Sequence, residues 1–183
     1  MVTITVNEHI QLRSYTADDA AMLFAAVNNS RPHLIQWLEW VRHTTREEHS
    51  LRYIKDTQHQ AQMQESLSLG IFYDDKIIGG VGMHQWNHSV KKAQIGYWIA
   101  KEYEGKGIVT VCLKHFSQFL FDKVGLNKIE IHFSAANMRS GKVAERLGGK
   151  IEGIIRQSVL RNGVPEDVAI AGILKSEWKG GSN

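Results

Sequence analysis

The sequence predicts an α/β fold, a sheet with helices packed against it. Two observations predict it. Short runs with period-two alternation of apolar and polar side chains recur along the chain, and they are separated by segments with helical spacing. The resulting order is strand, helices, three strands, helix, strand, helix, two strands, which suits a sheet covered by helices. The chain has 183 residues, 43% hydrophobic and 22% charged. Those are ordinary values for a globular protein, and the length suits one domain over 1–183 with a proper core.

The elements follow in order. Residues 9–15 alternate, with Ile10 and Leu12 inward and Gln11 and Arg13 outward, and read as a strand. Asp18 and Asp19 stand where an N-cap and a first-turn acid belong. A helix follows through Ala21, Met22, Phe24, Ala25 and Val27, and Pro32 starts a second short one through Leu34, Ile35, Trp37, Leu38 and Val41. Thr45-Arg46-Glu47-Glu48 reads as a capping box ahead of a polar helix over about 46–65 that buries Leu51, Ile54 and Met63. Strands 67–73 and 77–86 are joined by the turn Asp74-Asp75-Lys76, and a third strand runs over about 91–99. An apolar helix over 107–123, a strand at 128–134, a helix at 138–147 and strands near 150–160 and 166–174 complete the chain. Gly180-Gly181-Ser182-Asn183 reads as a tail.

Composition excludes several function classes. The single cysteine, Cys112, forms no intrachain disulfide framework or multi-cysteine metal site, and reads as core. No apolar run reaches the ~18 residues of a membrane span. The start, Met1 to Glu8, lacks the basic residues and apolar core of a secretory leader, so a cytoplasmic location is expected. The net charge of +3 comes from scattered basic residues without an interleaved basic-aromatic stripe, and nucleic-acid binding is not expected.

The chemistry concentrates where a strand end meets a helix start, at Glu104-Gly105-Lys106-Gly107-Ile108-Val109-Thr110. Unpaired N–H groups and the helix dipole can hold a phosphate there, and glycines let the backbone come close. The spacing is neither that of a P-loop nor that of a dinucleotide fingerprint. The same residues also suit a plain glycine-containing turn.

The wider pattern carries more information. Ala93-Gln94-Ile95-Gly96-Tyr97-Trp98-Ile99, Tyr103 to Ile108, Asn137-Met138-Arg139-Ser140 and Ala144-Glu145-Arg146-Leu147-Gly148 together resemble the GNAT superfamily of acetyl-CoA-dependent N-acetyltransferases. Within it, the RimJ/RimL-type ribosomal-protein N-terminal acetyltransferases are the most similar. Leu34-x-x-Trp37-Leu38-x-Trp40, Glu152-Gly153, Asn162-Gly163 and Glu166-Asp167-Val168 extend the resemblance over nearly the whole chain.

The resemblance implies a mixed, mostly antiparallel GNAT-like sheet of about seven strands, acetyl-CoA as co-substrate, no metal, and a homo-oligomer. It puts the pyrophosphate loop on Glu104 to Val109, with Gly107 as its central glycine. Gly105, Lys106, Gly107, Ile108, Val109 and Thr110 become cofactor contacts, and Glu104 and Val109 depart from the usual residues. It implies that the pantetheine arm pairs with the strand end at Trp98-Ile99, where two strands splay apart, and bonds Asn137. Ser140 matches a hydroxyl beside the thioester sulfur. Asn137 and Ser140 also suit a helix cap and first turn, and Trp37 and Trp40 suit either core or the acceptor site. Gln94, Val159 and Gly149 replace a carboxylate, a second carboxylate and an aromatic of the family.

An amine must lose a proton as it attacks a thioester, so a base is needed. With Gln94 and Val159 unable to serve, His84 and His132 on the strands 77–86 and 128–134 are the candidates, since histidine titrates in the useful range. Glu102 and Glu166 are remoter ones. The acceptor expected from the resemblance is a protein N-terminal α-amine. A small amine such as a polyamine or antibiotic, and a CoA-binding protein without turnover, are the competing readings.

Overall fold

The computed structural model describes residues 1–180. Gly181 to Asn183 of the expected tail lie outside the described residues. Eight strands form one sheet in the order β1-β2-β3-β4-β5-β6-β8-β7. They are β1 (Thr3–Thr5), β2 (Ile10–Arg13), β3 (Leu67–Tyr73), β4 (Lys76–Asn87), β5 (Lys92–Ile99), β6 (Lys128–Ser134), β7 (Lys150–Arg161) and β8 (Val164–Leu174). Every pairing is antiparallel except β5 with β6. The helices are α1 (Ala20–Asn29), α2 (Arg31–Leu34), α3 (Glu47–Gln62), α4 (Ile108–Phe119) and α5 (Met138–Arg146).

The two faces of the sheet carry two cores. Leu12, Leu69, Ile71, Met83, Ile95 and Ile129 pack on the apolar stripe Cys112, Leu113 and Phe116 of α4 and on Leu120 just past its end. Tyr15, Phe72 and Ile77 pack on α1 and α3 through Leu23, Val27 and Ile54. Alternation puts Ile71 in one core and its neighbour Phe72 in the other. Cys112 is fully buried, and burial pushes its thiol up to about 12. At neutral pH it is an inert core residue.

Several local expectations are corrected. The eighth strand, β1, has three residues, too few to show alternation in the sequence. Thr16, not Asp18 or Asp19, is the cap of the first helical segment. The Asp19 carboxylate accepts the Thr16 N–H at 2.7 Å and a two-pronged bond from Arg13. The Thr45 capping box does not form. α3 starts at Glu47 without a side-chain cap, and the His49 ring accepts the Thr45 N–H instead. Met63 falls past the last buried turn of α3 and is exposed. The short helix expected near 32–41 is split into α2 and a 3-10 turn at Glu39–Arg42. The Asp74-Asp75 turn joins β3 to β4 as expected, with φ 44° and 63°, the left-handed geometry of a tight hairpin.

Among the described residues, no helix is long and apolar enough to cross a membrane. No group of three or more His, Cys, Asp or Glu among them is placed to hold a metal ion.

Candidate active site

β5 and β6 run side by side for three pairs only, Lys92 with Lys128, Ala93 with Ile129 and Gln94 with Glu130. Beyond them the strands part. The gap is a cleft of about 870 Å³, walled by Ile95 to Ile99 on one side and Ile131 to Ser134 on the other. α4 opens at one end of it and α5 forms part of its wall. The β5 edge facing the cleft has lost its strand partner, so its backbone groups are free for an extended ligand.

The loop Glu104 to Gly107 feeds α4. Gly105 and Gly107 have φ of 76° and 77°, and a Cβ at either would meet nothing within 4 Å. These glycines are required by the left-handed backbone rather than by packing. Gly107 is the N-cap of α4 and offers no side-chain acceptor, so the N–H groups of Ile108, Val109 and Thr110 sit uncapped at the positive end of a 12-residue helix. All three line the cleft, with Gly105 and Gly107. Lys106 does not. It is exposed, with its ammonium 5.1 Å from the centre of the Tyr103 ring.

Glu104 places a carboxylate beside an anion site, and its partners offset that charge. Burial acts to raise its pKa, but hydrogen bonds from Lys101 and Arg139 override this and hold it below the ordinary value. The Arg139 bond ties the loop to the start of α5. With the Glu104 carboxylate paired to Arg139, Lys142 and Arg146 remain as the positive surplus on this wall. Free amides and excess positive charge fit a diphosphate with a further phosphate, the polar half of coenzyme A.

Asn137 caps α5, its Oδ1 accepting the Ser140 N–H at 3.1 Å, and it also lines the cleft. The cap is observed, and the same residue stands on the cleft wall. The Ser140 hydroxyl lies 2.6 Å from the Tyr97 hydroxyl on β5. Trp98 and Ile99 line the same wall.

The two histidines part company. His132 lines the cleft, and its Nε2 is 3.1 Å from Glu130 Oε2. Burial alone would raise the Glu130 pKa. Hydrogen bonds from Lys92, Lys128 and His132 override it and hold the carboxyl at about 2. Glu130 is thus an anion throughout the working range, fixing one face of the imidazole. His84 pairs with Gln94 across β4 and β5 but is not among the cleft-lining residues. Its ring lies against Gly96, and desolvation lowers its pKa despite a raising bond from Gln94. Gln94 lines the cleft and donates through Nε2 to Gln85 at 2.7 Å.

Glu130 gives a pH prediction. Its folded pKa is depressed from 4.5 to about 2, so its contribution to stability is fully present above the unfolded value and is lost as pH falls through that window. Thermal midpoints should drop between pH 4.5 and 2, and Glu130→Gln should flatten that part of the curve while lowering stability at neutral pH.

Another part of the cleft wall is built by the segment that follows α2 and by the β7–β8 hairpin. Trp37 lines it, with the Arg161 guanidinium 5.6 Å from its ring centre. Arg161 Nε donates to Glu166 at 2.9 Å, and the Ser134 hydroxyl donates to the same oxygen at 2.8 Å. Those bonds lower the Glu166 pKa, leaving a neutralised pair rather than a base. A bulge between Ile155 and Val159 bends β7 so that Ile155, Ser158, Val159 and Arg161 all reach the cleft. Trp40 is outside the lining and packs edge-on against Trp98 at 6.2 Å. Glu102 is exposed and also outside it.

Sequence reasoning missed Tyr97, Glu130, Arg139 and Arg161. Glu130 had a usable signal, since a residue two before His132 on a strand shares its face. Tyr97 and Arg139 stood inside the quoted motifs without a role. Arg161 had no signal, because its place depends on the β7 bulge.

The family profile for the acetyltransferase (GNAT) domain matches residues 9–150. The chain is 33% identical to the "putative ribosomal N-acetyltransferase YdaF" of Bacillus subtilis over 181 residues, 98% of this chain and 99% of that one. It is 26% identical to the ribosomal-protein-serine acetyltransferase of Escherichia coli over 166 residues, 91% and 93% of the two chains. Among solved structures, the microcin C7 self-immunity acetyltransferase MccE in complex with acetyl-CoA and AMP superposes with a TM-score of 0.88 at 28% identity, covering 92% of this chain and 94% of that one.

Proposed function

The chain belongs to the GNAT acetyltransferase family, and from that premise we propose that it acetylates the N-terminal α-amine of a ribosomal protein, with the chain acting as one cytoplasmic domain. Acetyl-CoA is the co-substrate and supplies an activated acetyl thioester. The observation that carries the reading is the cleft itself. It joins an uncapped helix N-terminus, an unpaired strand edge and a hydroxyl at the head of α5.

Each residue has a task. The N–H groups of Ile108, Val109 and Thr110 hold the diphosphate, with Gly105 and Gly107 letting it approach. The free edge of β5 at Trp98-Ile99 and the Asn137 amide hold the arm. His132, steadied by Glu130, takes the proton that the attacking amine sheds, and Ser140 faces the departing sulfur. A backbone N–H on the β5 edge is the donor available to the carbonyl oxygen as it gains charge. Trp37 and Arg161 border the acceptor side, with Trp40 supporting the wall from behind Trp98.

The acceptor end favours a peptide over a polyamine. Its charged lining residue is Arg161, paired with Glu166 outside the lining, and a polycation needs an acidic surplus there. The exposed apolar side chains Ile151, Ile154, Leu160 and Val164 on the β7–β8 edge support self-association into a dimer. The test is thiol release from acetyl-CoA with peptides starting in Ser, Ala, Thr or Met, and with spermidine. Turnover confined to peptides supports the proposal. Turnover with spermidine alone would replace it by the small-amine reading, and tight CoA binding without turnover by the non-catalytic one.

A further inference from the structure

We propose that Tyr97 is a positioning residue for acetyl transfer, holding the Ser140 hydroxyl so that its proton points at the thioester sulfur. The proposal rests on the acetyl-transfer reading of the cleft and adds a residue to it.

The geometry is a bridge across the cleft. Tyr97 stands on β5, three residues past the last β5–β6 pair, and its phenol reaches the Ser140 hydroxyl on α5 at 2.6 Å. Both side chains line the cleft. Ser140 is fixed from the other side too. Its N–H is held by Asn137, and a Cβ at the next residue, Gly141, would lie 3.3 Å from the Phe133 ring, so α5 sits tightly on β6. A serine hydroxyl has one proton and two acceptor sites. A phenol is the stronger acid of the two and so the natural donor in this bond. Burial also keeps Tyr97 protonated, raising its pKa against the opposing bond to Ser140. With a lone pair of Ser140 occupied by Tyr97, its own proton is left for the open cleft.

The step balances simply. The amine nitrogen bonds the carbonyl carbon, the carbon–sulfur bond breaks, and sulfur takes its electron pair. Ser140 donates to that sulfur while Tyr97 donates to Ser140, each bond strengthening the other. If the Ser140 proton moves to sulfur, the Tyr97 proton follows to Ser140, and water restores the phenol. A thiolate is less basic than a phenolate. The pair therefore acts mainly by hydrogen-bond donation as charge builds on sulfur, and the effect is modest.

The test has two arms. In the first, the thiol of bound CoA is titrated by its ultraviolet absorbance, with no acceptor present. Wild type should lower the thiol pKa relative to free CoA. Tyr97→Phe should remove part of the lowering and Ser140→Ala all of it, with the double variant equal to Ser140→Ala. In the second arm, Tyr97→Phe should cut kcat about fivefold, the weight of one hydrogen bond, with the acetyl-CoA KM unchanged. It should have no further effect in the Ser140→Ala background. Equal losses with and without the Ser140 hydroxyl would overturn the proposal, because Tyr97 would then act through packing. So would a bound thiol that titrates identically in wild type and Ser140→Ala, a variant that leaves the Tyr97 ring in place. Failure to bind CoA at all would instead overturn the acetyl-transfer reading.

Discussion

Replacing His132 by alanine should lower kcat by roughly 10²–10³, the lower part of the range for a lost general base, while leaving acetyl-CoA affinity unchanged. His132 is the histidine that lines the cleft, and its partner Glu130 is a permanent anion. Glu130→Gln should fall between wild type and His132→Ala, because the amide still occupies the space but no longer stabilises the imidazolium. His84→Ala should change kcat little, since His84 lies outside the lining. Steady-state thiol release at saturating acceptor measures all three. A larger loss from His84→Ala than from His132→Ala would move the base to the other strand.

The second large effect is on binding. Gly107→Val should raise the acetyl-CoA Kd about tenfold or more by calorimetry. A left-handed backbone costs an L-residue roughly 1–2 kcal/mol, and φ at Gly107 is 77°. The valine must distort the turn that presents the first amides of α4, and its side chain enters the open space above them. Lys106→Ala should cost about twofold, as an exposed charge is screened by salt. Circular dichroism of both variants checks that the fold survives. If Lys106→Ala proved the worse of the two, charge rather than backbone would be holding the diphosphate.

The fold was legible because short apolar runs bounded by turn residues mark the strands, even where burial on both faces removes the alternation, as at Ile71 and Phe72. The hairpin at Asp74-Asp75 and the strand at 128–134 were legible for the same reason, with turn chemistry at the boundary. β1 was not, because three residues carry no period. Asp18 and Asp19 do stand in a first turn, but the cap falls on Thr16, and the box at Thr45 was misread because the His49 ring takes the Thr45 N–H. In the candidate site, the loop and the α5 start were legible as contiguous motifs. The Tyr97–Ser140, Glu130–His132 and Arg161–Glu166 pairs were not, because each depends on how far two strands part or bend.

The most direct measurement is peptide mass mapping of non-acetylated ribosomal proteins after incubation with the enzyme and acetyl-CoA. The account predicts one added acetyl group on the first residue of a single protein, absent in His132→Ala. Acetyl groups on lysine side chains, or no modification alongside rapid acetylation of a small amine, would contradict it.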